Sequence, residues 1–214
     1  MNLQYFLFLF LLNSICFTTE LLDVKIIGNK NTRNEIIIRE IKHPYPAKFD
    51  SSMAKEDRNR IYNLGLFSTV DIQPIDSFYT IILVETFRFF PMPIADYNES
   101  KGWSYGGGIA FLNFNGKNQK LIFGGIGGEE TTYFLDFYDP WIAGDHVSLS
   151  GKIYQFHTKN PVYSYQYNEK GINIGSGFFN KDIHKFNFLL GLESATIDTT
   201  KFDKSGMNYP YEIH

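Results

Sequence analysis

The pentapeptide Gly102-Trp103-Ser104-Tyr105-Gly106 has the Gly-x-Ser-x-Gly spacing that presents a serine nucleophile on a sharp strand-to-helix turn. Asp136, Asp139, His146 and His157 come later, so the Ser, Asp, His order of an exported lipid hydrolase is available. The flanks point elsewhere. A nucleophile elbow needs a buried strand before the serine and a helix after it, but polar Tyr97-Asn98-Glu99-Ser100-Lys101 precedes it and the strand-like run Gly107 to Phe114 comes after. Gly106-Gly107-Gly108 reads better as a bend or a close backbone approach within a strand. Gly116-Lys117 fails as a phosphate loop, because Phe111 stands where the first glycine belongs and Asn118 where Ser or Thr would hold magnesium. Gly124-Gly125-Ile126-Gly127-Gly128 lacks dinucleotide spacing and has no helix after it. Glu129-Glu130 reads as a solvated loop tip, with cation binding the lesser alternative. One Cys, and five His that never fall at i, i+4, leave no zinc motif. The expectation is a protein that is not an enzyme and needs no cofactor or metal.

The elements holding these residues follow from composition and periodicity. Of 214 residues, 43% are hydrophobic and 17% aromatic, chiefly 21 Phe and 14 Tyr, with a formal net charge of -3. That is enough apolar material for a core and too little positive charge for a nucleic-acid binder. No window reaches the ~18 consecutive apolar residues of a spanning helix, so any membrane entry is by strands. Residues 1–18 read as a signal peptide, with an apolar run from Tyr5 to Leu12 and cleavage after Cys16 or Thr18. The alternative is an apolar first strand or helix of a cytosolic protein.

Residues 19–86 predict a small α+β domain in the order strand, helix, helix, strand, strand. Leu22, Val24 and Ile26 alternate with charged residues before Gly28-Asn29 turns the chain. Thr32-Arg33-Asn34-Glu35 fits a capping box ahead of a helix over Arg33 to Glu40, with Ile37, Ile38 and Ile41 at helical spacing. After His43-Pro44-Tyr45-Pro46, Asp50 or Ser51 caps a second helix that buries Ala54, Ile61 and Leu64 and ends at Gly65. Strands over Thr69 to Ile75 and Tyr79 to Glu85 complete the domain.

From residue 87 to 214 helical spacing gives way to seven candidate strands, at 87–97, 102–113, 118–127, 131–139, 145–157, 167–178 and 182–195. Each alternates an apolar side with a small or polar one, as Val147, Leu149, Gly151 and Ile153 do against His146, Ser148, Ser150 and Lys152. Two architectures share this pattern, a soluble sandwich and a transmembrane barrel. Strand lengths of about ten residues, aromatics near strand ends, short turns alternating with longer polar loops, and the leader favour the barrel.

The segment Val24 to Glu85 resembles a polypeptide-transport-associated (POTRA) domain, on its Ile-x-Gly-Asn turn, its Arg39-Glu40-Ile41 helix end and Leu64-Gly65-Leu66-Phe67. The chain beyond Arg88 is similar to the start of the barrel in the bacterial surface antigen family of outer-membrane assembly factors, which includes BamA and TamA. The matching words are Asn113-Phe114-Asn115-Gly116 with Gln119-Lys120-Leu121, and Tyr138-Asp139-Pro140-Trp141 before Gly144-Asp145. Family barrels close with about sixteen strands, more than the roughly 125 residues after Arg88 supply, and the family's Arg-Gly-Phe/Tyr loop motif is absent. The expected fold is thus a POTRA domain followed by an incomplete antiparallel transmembrane barrel of about seven strands. The chain reads as the N-terminal part of a longer protein, stopping at Asn208 to His214 in an outward loop.

The resemblance implies an assembly or insertion factor of the bacterial outer membrane, its POTRA domain in the periplasm. Its partners would be unfolded outer-membrane protein clients, outer-membrane lipid and subunits of an assembly complex, with no nucleic acid. A polypeptide-secretion pore of the same fold is the alternative. The family places the strand containing Thr69, Val70, Asp71, Ile72 and Gln73 at a sheet edge, where an extended client could add a strand. Asp71 and Pro74 are also residues that blunt such an edge. Pro91 and Pro93 lie two apart, so both missing N-H donors fall on one side of their strand. That side is expected to face the barrel seam, the opposite side pairing with Trp103 to Asn113. The plainer alternative is a stiff interdomain linker.

Overall fold

The computed structural model describes residues 20–99, 102–128, 130–144, 147–159, 165–180 and 184–198. The signal-peptide reading, Glu129, Asp145, His146 and the Asn208 to His214 tail lie outside them. The chain divides into two units between Thr86 and Phe87.

In the first unit β1 (Glu20–Leu21) pairs with β3 (Ala47–Lys48), and β2 (Asp23–Ile27), β4 (Phe67–Ile75) and β5 (Phe78–Glu85) form a sheet in the order β2-β5-β4. β2 runs parallel to the central β5 and β4 antiparallel to it. Two helices, α1 (Asn34–Ile38) and α2 (Ser51–Asn63), complete the core, in which Leu21, Ile37, Ile61, Tyr79 and Ile81 are almost wholly buried. Asp50 caps α2, its Oδ1 accepting from the amides of Ser52 at 2.8 Å and Met53 at 3.3 Å. The Ser52 hydroxyl and these amides hold the Asp50 carboxyl below the usual carboxylate range.

The start of α1 departs from the expected capping box. Arg33 occupies the N-cap with no side-chain cap bond. The donors before it are met from the far end of β5: the Glu85 carboxylate accepts from the Thr32 amide at 2.7 Å and the Asn31 amide at 3.0 Å. A tertiary carboxylate has displaced the local one. The helix also buries Ile36 and Ile37, leaving Ile38 at 40% exposure, because five residues make little more than one turn and only one narrow face meets the core. Gly28 has φ of 101°, and a Cβ there would collide with the Leu83 carbonyl oxygen, so the turn after β2 admits only glycine.

The second unit is one antiparallel meander, β6 (Phe89–Asn98), β7 (Gly102–Phe114), β8 (Gln119–Gly128), β9 (Glu130–Asp139), β10 (Val147–Lys159), β11 (Gln166–Asn180) and β12 (His184–Asp198). Its seven strands fall where the alternation predicts them. Among the described residues the sheet is open, with β6 and β12 at its edges. The registers align side chains in rows. One row runs Phe123, Leu135, Ile153, Ile172, Leu192 across five strands, and the next runs Leu121, Phe137, Gly151, Ile174, Leu190. The other face carries Lys120, Asp136, Lys152, Glu169 and Glu193, so the sheet has one apolar and one polar side.

Candidate functional site

Two strand edges carry the residues singled out in the sequence. Thr69, Val70, Asp71, Ile72 and Gln73 lie in β4, at the edge of the three-stranded sheet. Val70 and Ile72 are buried, while Thr69 and Gln73 are exposed on the opposite face. Asp71 modifies this edge. Its Oδ1 accepts from the Ile72 amide at 3.0 Å and its Oδ2 from Gln73 Nε2 at 2.5 Å. Backbone N-H groups alternate sides along a strand, so Val70, Ile72 and Pro74 share one side. Proline has no donor there and the Ile72 donor is occupied, which leaves the amide of Val70. Beside the edge lies a cavity of about 260 Å³ between β4 and α2, lined by Phe49, Ala54, Lys55, Arg58 and Ile72.

The second edge is β6. Pro91 and Pro93 sit within its ladder, opposite Ile109 and Gly107 of β7. The phase of the ladder follows from one bond: the Leu112 amide donates to the Arg88 carbonyl at 2.8 Å. In an antiparallel pair, hydrogen-bonded and non-hydrogen-bonded positions alternate, so Phe90, Met92 and Ile94 exchange bonds with Ala110, Gly108 and Gly106. Pro91 and Pro93 occupy the non-bonded positions. Their nitrogens face away from β7, toward the open edge, where neither can donate. The linker alternative is overturned, since both prolines lie inside a ten-residue strand.

Ser104 lies mid-strand in β7, opposite Asp96 and next to Gly128, 9% exposed and with no helix after it. The register places it on the polar face, whereas His157 lies on the apolar face with Nδ1 2.6 Å from Asn168 Oδ1. The nucleophile-elbow geometry is absent. Glu130 begins β9 and its Oε1 accepts from the Thr158 hydroxyl at 3.1 Å, so it is no loop tip. Among the described residues no group of three or more His, Cys, Asp or Glu could hold a metal ion.

Sequence reading misses three arrangements. Asp57 of α2, fully buried, accepts from the amides of Lys42 at 2.9 Å and His43 at 3.1 Å, from the Tyr79 hydroxyl at 2.8 Å and from Arg60. Burial and this carboxylate push the Tyr79 phenol far above its usual range. Nothing in the α2 sequence distinguishes Asp57 from the solvated charges around it. In the second unit, Gln119 Nε2 donates to Asp139 Oδ2 at 2.5 Å, and Asp139 Oδ1 accepts from the Trp141 amide at 2.9 Å. These bonds join the two sequence words that carried the barrel resemblance. Asn113, Asn115, Gly116 and Asn118, all at positive φ, shape the turn beside them. Third, the Tyr154 ring lies over Gly171.

Residues 113–212 match the Omp85 superfamily domain. The chain is 24% identical over 202 residues to the outer membrane protein assembly factor BamA of Neisseria meningitidis serogroup B, covering 87% of this chain and 25% of that protein. It therefore spans about a quarter of the length of this curated relative. Its fold is similar to that of BamA from Haemophilus ducreyi lacking POTRA domains 1-3, with a TM-score of 0.65 and 23% identity over 83% of this chain and 36% of the other. CdiB from Escherichia coli shares the fold more distantly, with a TM-score of 0.50 and 11% identity over 84% of this chain and 37% of that one.

Proposed function

We propose that this chain is the POTRA domain and first barrel strands of an outer-membrane protein assembly factor. It receives unfolded barrel clients in the periplasm and templates their insertion into the outer membrane. The observation that carries this reading is the β6 edge. In hydrocarbon every unpaired backbone group costs several kcal/mol, so an open strand edge there must be paired or closed. The outward side of β6 lacks the donors of Pro91 and Pro93, and a neighbour zipped to it forms fewer bonds and separates more readily. A seam of this kind suits the reversible admission of a client strand. The seven strands then form part of a barrel wall, with the apolar rows toward lipid and Lys120, Asp136, Lys152, Glu169 and Glu193 toward the interior.

On this reading the first unit acts as a periplasmic receptor. The β4 edge contributes strand addition in limited form, through the carbonyls along it and the Val70 amide, with the cationic rim of Lys55 and Arg58 beside it. Replacing both prolines by valine restores two donors of about 0.5 to 1.5 kcal/mol each. The expected result is slower insertion of a barrel client into liposomes bearing the full chain, with the chain itself folded. Undiminished insertion by P91V/P93V contradicts the seam.

The polar interior face supports a second reading, a polypeptide-secretion pore, in which cargo passes through the interior. There P91V/P93V leaves transport unchanged, and substitutions at Lys152 or Glu193 alter it.

A further inference from the structure

The apolar face of the second unit holds a groove of about 610 Å³, within the ordinary range for sites that enclose a small ligand. Its floor is aliphatic, made of Leu135, Ile153, Ile172 and Leu192. Its rim is the adjoining row, in which Gln155 stands opposite Lys170 and Lys170 opposite Ser194. Lys170 is exposed and makes no ion pair among the described residues. The nearest carboxylates in sequence and register are Glu169 and Glu193; the register turns both side chains to the opposite face, although Glu193 is also among the residues lining the groove. One row further toward Lys159 and Gln166, where β10 ends and β11 begins, come Thr131, His157, Asn168 and Thr196, all able to hydrogen-bond. Within three rows the face thus passes from aliphatic to cationic to hydrogen-bonding.

That sequence of chemistries matches a lipid carrying a phosphorylated sugar headgroup. We propose that the groove is a binding site for lipid A, with an acyl chain along Ile153 and Ile172, a phosphate on Lys170 and sugar hydroxyls on the row of His157 and Asn168. The site rests on the barrel reading, which turns this face to lipid. That reading also fixes the leaflet: β6 enters from the periplasmic side, so strand alternation puts the Lys159 end of β10 and the Gln166 end of β11 toward the outer surface. An unpaired lysine in an apolar field is well placed for an anion, since phosphate oxygens give it charge-assisted hydrogen bonds that water at that depth does not. A lipid held beside the wall would set the local bilayer order against which a client inserts.

The test uses the full chain reconstituted in phosphatidylcholine vesicles containing either lipid A or phosphatidylglycerol, then extracted in mild detergent. Bound lipid is counted by mass spectrometry. The expectation is retention of lipid A over both phospholipids, a loss of about tenfold in K170E, and retention in K170R. Lys185 lies on the polar face and is the control: K185E should retain lipid A as the unaltered chain does. Equal retention by K170E and the unaltered chain overturns the site, as does equal retention of phosphatidylglycerol or an equal loss in K185E. Quenching of Trp103 fluorescence by brominated phosphatidylcholine is read in the same vesicles on a Trp141→Phe chain, since Trp141 is the second tryptophan of the sequence. Absence of quenching overturns the barrel placement and the site together, whereas quenching with K170E unaffected overturns the site alone.

Discussion

The ring of Tyr154 on β10 covers the backbone of Gly171 on β11: a Cβ added at Gly171 would lie 2.7 Å from Tyr154 Cε1, Cζ and Oη. The two residues are cross-strand partners, and the next residue along the same row is Glu193 of β12. With no side chain between them, the Tyr154 hydroxyl reaches Glu193 Oε2 at 3.4 Å, and Tyr167 donates to Glu169 on the same face at 2.8 Å. Glycine at this position lets an aromatic ring on one strand reach across a second to a third.

Substituting Gly171 by Ala should displace the ring and destabilise the sheet by about 1 to 3 kcal/mol, the usual cost of overpacking. Tyr154→Ala removes the obstacle, so the double variant should be less destabilised than the sum of the two single variants. Urea unfolding of the detergent-solubilised chain, measured as a double-mutant cycle, checks this.

Asp57 should be the costliest single carboxylate in the first unit. Asp57→Ala leaves Arg60, the Tyr79 hydroxyl and the Lys42 and His43 amides without their shared acceptor, and should cost about 3 to 5 kcal/mol. Hydrogen exchange at the Lys42 and His43 amides reports it locally, and their protection should fall while that of β10 and β11 is unchanged.

The fold was legible where the chain repeats itself. Period-two alternation placed all seven strands of the meander, and Asp50 and Gly65 bounded α2 because caps are read from single residues. Pro91 and Pro93 announced a one-sided loss of donors through their spacing alone. Partners distant in sequence were not legible. Glu85 replaced Glu35 at the start of α1 across 53 residues of separation from Thr32. Asp57 reads as one more surface charge until the fold brings Tyr79 and His43 to it. The apolar-to-polar passage around Lys170 exists only once four strands are set in register.

Glu85 gives the first unit an acid limb. Burial alone raises its carboxyl, but the hydrogen bonds from Thr32 and Asn31 outweigh it and hold the group below the usual glutamate range. A group that ionises more readily when folded stabilises the fold fully above its unfolded pKa, about 4.3 for glutamate. That contribution fades as pH falls through the lower folded value. Glu85→Gln should therefore weaken the unit at neutral pH and flatten its stability profile below about pH 4.3, measured by urea titration across pH.

Client strands are expected to meet this protein at the β6 edge. A benzophenone-bearing residue in place of Ala95 on β6, and another in place of Leu149 on β10, can be irradiated while a newly made barrel client inserts beside the full chain. Client adducts are expected at position 95 and lipid adducts at 149. Equal capture of client at both positions, or capture only at a polar-face position such as Asn173, contradicts that expectation.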